Sequence, residues 1–88
     1  MNNERRKRIK LAIGRLQDLQ AQVESIKDDV DSLQSEESDA FDSLPESLQG
    51  SDKGLSMETC IDNLSSVVDE LDSFDFDAVV TALESAME

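Results

Sequence analysis

Apolar residues recur through the first third of the chain at Ile9, Ala12, Leu16, Leu19, Val23, Ile26, Val30 and Leu33, in alternating steps of three and four. This is an a/d heptad stripe, with Ile9, Leu16, Val23 and Val30 at a and Ala12, Leu19, Ile26 and Leu33 at d. It predicts one amphipathic helix built to lie against other helices. The helix is expected over 3–41, with Asn2 or Asn3 as its cap and Glu4 in its first turn. Ala40 and Leu44 continue the heptad, but Glu37 falls on an a position, so the seam frays or reorients after Leu33. Gly14 lies off the seam, costs about 1 kcal/mol against alanine in a helix, and reads as a point of close helix approach.

Pro45 stops that helix at or before Leu44, because its ring clashes with a continuing turn. The segment 42–55 therefore reads as a loop. Ser43 is placed to cap a short turn, Leu44 and Leu48 are expected to tuck inward, and Gly50 and Gly54 permit positive φ. A second helix is expected over 56–87, with Leu55 and Cys60 forming a hydrophobic staple around its start. Its stripe of Met57, Cys60, Ile61, Leu64, Val67, Val68, Leu71 and Phe74 is wider than the first, as befits an element covered by more than one neighbour. Around Ser73-Phe74-Asp75-Phe76-Asp77 the helix either kinks or ends, with Asp75 or Asp77 capping a third. One long helix with a local irregularity at 73–77 is the favoured reading. Phe76, Val79, Val80, Leu83 and Met87 carry the last apolar face.

The pattern predicts an all-α chain with a single domain, 1–88, folded as a long helical hairpin. Alone, a hairpin of two such helices leaves half of its apolar stripes in water. Pairing two hairpins into an antiparallel, coiled-coil-like four-helix bundle removes that cost. Length points the same way, since 88 residues bury too little surface to be stable without a disulfide, a metal or oligomerisation. Cys60 is the one cysteine and histidine is absent, which excludes an intrachain disulfide and the usual zinc ligands. The expected partner is therefore the chain itself, through Ile9, Leu16, Leu19, Val23, Ile26, Val30 and Leu33. Cys60 reads as a small core residue in a reducing compartment.

Charge adds a direction to this picture. Residues 1–15 carry a net +5 and residues 16–88 a net −18. A chain so polarised favours head-to-tail or antiparallel contacts between copies, and its acidic bulk repels phosphate, so direct nucleic-acid binding is not expected. No run of apolar residues is long enough to span a membrane, and no apolar signal segment follows the basic start.

Catalytic chemistry finds little support. There is no histidine to activate Cys60 and no glycine-rich phosphate loop, and the many carboxylates read as solvated helix faces. Asp39 with Asp42, or Asp75 with Asp77, lack the spacing of a calcium loop. No catalytic residue, metal or cofactor is expected. The basic cluster is the better candidate. Arg5, Arg8 and Arg15 fall near one helix face with Arg6 and Lys10 to the sides, and such a group holds a phosphate or an acidic partner. The favoured reading of the cluster is nevertheless a solubilising, charge-balancing end that pairs with the acidic part of a neighbouring copy, with ligand or partner binding as the alternative.

Glu36, Glu37, Phe41 and Asp42, followed by Pro45-Glu46-Ser47-Leu48-Gln49 and a Gly/Ser turn between two amphipathic helices, resemble a group of small phage-encoded helical proteins. The specific part of the likeness is 36–54. The resemblance implies an accessory protein made in the cytoplasm of a host bacterium. It implies that the protein counters host defence by binding, either blocking a host protein or sequestering a phosphorylated nucleotide signal between subunits. The resemblance carries over no ligand residues; from the sequence itself the candidate binding residues are Arg5, Arg8, Lys10, Arg15, Pro45, Glu46, Ser47, Gln49 and Lys53. Alternatives are a coiled-coil scaffold or adaptor of phage assembly, and an acidic DNA mimic.

Overall fold

The structure is a computed structural model that describes residues 2–88. It is 87% helix, with no strand among the described residues. Helices α1 (Asn3–Asp42), α2 (Glu46–Gln49), α3 (Asp52–Asp72) and α4 (Phe76–Ala86) follow one another along the chain. They divide between two units, one of residues up to Ser25 with Phe74–Glu88, the other Ile26–Ser73.

α1 is one uninterrupted helix, started by Asn2, whose Oδ1 accepts from the Arg5 amide at 2.9 Å. In the first unit, the N-terminal end of α1 meets the C-terminal end of α4. Arg6 Nε donates to the Met87 carbonyl at 3.1 Å, placing a cation where the last carbonyls of a helix lack partners and carry partial negative charge. Phe76 is the one buried apolar residue among those described, at 8% exposure. The Phe74 ring meets it edge-on, with centroids 4.5 Å apart. Val80 and Leu83 on α4, and Met87 just past its end, are half-buried.

In the second unit α3 returns antiparallel to α1, and Lys27 forms an ion pair with Asp72. Met57, Ile61, Leu64, Val68 and Leu71 form the half-buried face of α3. The other edge of its stripe stays in solvent: Val67 is exposed, as is Cys60. Cys60 is thus a surface thiol and not a core residue.

Three boundaries depart from the sequence expectation. The 42–55 segment is not wholly a loop, since Pro45 is followed by the single turn of α2, whose Leu48 and Gln49 amides donate to the Pro45 carbonyl at 2.8 and 3.2 Å. Ser43 does not cap that turn; its hydroxyl donates back to Asp39 O at 2.9 Å. Leu44 is half-buried, but Leu48 remains 45% exposed.

The second helix begins at Asp52 and not at Ser56, because Ser51 caps it by accepting from the Gly54 amide at 3.4 Å. Leu55 is then inside the helix and 52% exposed, so it makes no staple with Cys60. The third departure is at 73–77, where the chain breaks instead of continuing as one long helix. Asp75 leaves helical backbone angles and its Oδ1 accepts from the Ala78 amide at 2.9 Å. An aspartate at this point satisfies a free helix-start donor, and the new start turns Phe76 inward.

The expected close approach at Gly14 is absent: a methyl group there meets nothing within 4 Å. Gly14→Ala is therefore expected to stabilise the protein by about 1 kcal/mol, read as a higher midpoint in chemical denaturation. A fall in the midpoint counts against an open site.

Candidate interaction site

The candidate residues fall into two groups. Arg5, Arg8 and Arg15 line one shallow depression on α1 together with Ile9, Leu11 and Ala12. Helical spacing explains the grouping, since residues three, four and seven apart share a face. The floor is apolar, and Leu11 is 69% exposed. All three arginines are exposed. Among the described residues, none of the three side chains has an ion pair within the chain. A bare apolar strip edged by uncompensated guanidinium groups fits an amphipathic, acidic partner. Lys10 is exposed outside the depression.

The second group lies in the second unit, at the turn between α1 and α3. Gln49 is half-buried. Its amide nitrogen donates to Leu44 O at 3.2 Å and Phe41 O at 3.5 Å. Phe41 O lies in the last turn of α1, where it also accepts from the Leu44 amide at 3.0 Å, and Leu44 O lies just past the helix end, so Gln49 works as a tie between α2 and the end of α1. Ser51 closes the other side, its hydroxyl donating to Leu48 O. Pro45, Glu46, Ser47 and Lys53 remain exposed. The motif is thus divided: Pro45 and Gln49 shape the turn, while Glu46 and Ser47 present polar groups to solvent.

Three interacting residues lay outside the candidate set. Arg6 is held by the end of α4, and Gly54 is pressed against α2. Lys27 is the one cation between Arg15 and Lys53. Its isolation in that acidic stretch is its sequence signal, and the structure sets it against Asp72.

Among the described residues no group of three possible metal-ligating side chains is gathered, and no helix is long and apolar enough to cross a membrane. No family model matches the chain, and neither a curated protein nor a solved structure does.

Proposed function

We propose that this chain works by binding and not by catalysis, as a homo-oligomer. On the resemblance of 36–54, we propose that it is a phage accessory protein that counters host defence in the bacterial cytoplasm. The observation that carries the first part is the uncovered apolar surface. Leu19, Ile26 and Leu33 are 47, 50 and 52% exposed on α1. A seam repeated every seven residues and left in water is an association surface, since scattered exposed residues would show no such period.

The working surface towards a host target is the acidic remainder of the molecule. It carries a net −18 over residues 16–88, which suits docking onto a basic host protein. Sequestration of a phosphorylated nucleotide signal by Arg5, Arg8 and Arg15 is the competing route. Isothermal titration calorimetry with cyclic nucleotides and ADP-ribose derivatives separates the two. The expected result is no heat with any of them, alongside a basic host protein retained specifically by the oligomer. Saturable heat that is lost in Arg8→Ala would assign the nucleotide route instead. An unfolded monomer in light scattering would overturn the self-association and point to an assembly adaptor awaiting its partner.

A further inference from the structure

We infer that the depression on α1 receives the α1 helix of a second copy, antiparallel and in one register, with Gln22 of both copies at the two-fold axis. The inference deepens the self-association proposed above and rests on it. It uses α1 alone, a single continuous helix from Asn3 to Asp42.

The first observation is which flank of the seam the chain covers itself. The e positions Ile13, Gln20, Lys27, Gln34 and Phe41 are all half-buried, and Lys27 pairs with Asp72 on α3. The g positions Arg8, Arg15, Gln22, Asp29 and Glu36 are all exposed, as are Leu19, Ile26 and Leu33 at d. In a four-helix bundle each helix meets one neighbour on its e side and another on its g side. Here the e side is taken and the g side is vacant.

The second observation is the charge order of that vacant row. From Arg8 to Glu36 it runs positive, positive, neutral, negative, negative. Antiparallel helices bring g positions against g positions, so this order is complementary to its own reverse. Arg8 then faces Glu36 of the other copy, Arg15 faces Asp29, and Gln22 faces Gln22. The same register settles the seam. Ile9 meets Leu33, Ala12 meets Val30, Leu16 meets Ile26 and Leu19 meets Val23, so each apolar a or d residue of the stripe has an apolar counterpart. It also accounts for Glu37, the carboxylate on an a position that interrupted the heptad, which comes opposite Arg5 on a d position. All three arginines of the depression thus find carboxylates. A parallel pairing sets the g row against the e row, where Arg15 and Asp29 both meet glutamines and no charge is matched.

The test is charge reversal in the full chain. Arg15 and Asp29 are exposed in the single chain, so each substitution leaves the fold intact, which circular dichroism at high protein concentration verifies. Arg15→Glu alone and Asp29→Arg alone are each expected to weaken self-association about tenfold or more, because each sets two like-charge pairs in the dimer. Together they restore the wild-type constant, measured by sedimentation equilibrium. A short bis-maleimide is expected to link two Gln22→Cys chains in a Cys60→Ser background, and not two Ala21→Cys chains, whose f position faces away from the seam. Failure of the double variant to recover, or linkage through Ala21→Cys and not Gln22→Cys, overturns this register while leaving an oligomer. A monomeric wild-type chain overturns the oligomer as well.

Discussion

Replacing Leu19 and Ile26 together by aspartate is expected to abolish self-association and helical structure in the same concentration range. Both side chains are about half exposed within one chain, at 47 and 50%, so their intrachain packing alone predicts a mild effect. The larger effect comes from association. Burying the exposed half of a leucine or isoleucine contributes about 1 kcal/mol, and two copies of a double variant change four sites, so on the order of 4 kcal/mol of association is lost. Aspartate adds the cost of a carboxylate in an apolar layer. The single chain cannot absorb that loss, because Phe76 is the one buried apolar residue among those described. Light scattering and circular dichroism on the same samples read both transitions. A folded, stable monomer would show that the chain carries a sufficient core without a second copy.

Gly54→Ala is expected to cost about 3 kcal/mol, at the upper end of what overpacking does. A methyl group at this position would collide with the Gln49 carbonyl oxygen and lie 2.5 Å from its carbon and 2.7 Å from Leu48 O. These are backbone atoms, so no side chain can rotate away. Relief requires α2 to separate from α3, which also undoes the Ser51 cap and the Gln49 tie to the end of α1. Local opening should therefore appear as faster hydrogen exchange at the Leu48 and Gly54 amides, together with a lower denaturation midpoint. Unchanged stability would mean that α2 moves aside freely and that the Pro45–Lys53 turn is not packed.

The two glycines show what a sequence does and does not disclose. Gly14 falls within the expected first helix and Gly54 within the expected loop, and close approach is the natural expectation for Gly14. The approach occurs at Gly54, where α2 folds onto the start of α3. Neither position carries a sequence signal of its own, because the requirement comes from a backbone neighbour outside its own helix. The Asp75 break is a nearer case. The alternation of phenylalanine and aspartate offered both a kink and a new cap, and local propensity does not choose between them. Turning Phe76 into the first unit does. The arginines were visible as a face from spacing alone, but their lack of partners within the chain required the fold.

The sequence by itself determined that the chain is helical and where the apolar stripes run. It also located the Pro45 break, because periodicity, capping residues and proline geometry act within a few residues of one another. A heptad stripe has two flanks, however, and its pattern does not say which one the returning chain will cover. That choice depends on the turn through Pro45, Gln49 and Gly54, which aims α3 at the e flank of α1. Within the second unit the tertiary structure decided this, and in covering one flank of α1 it left Asp29 and Glu36 in solvent along the other.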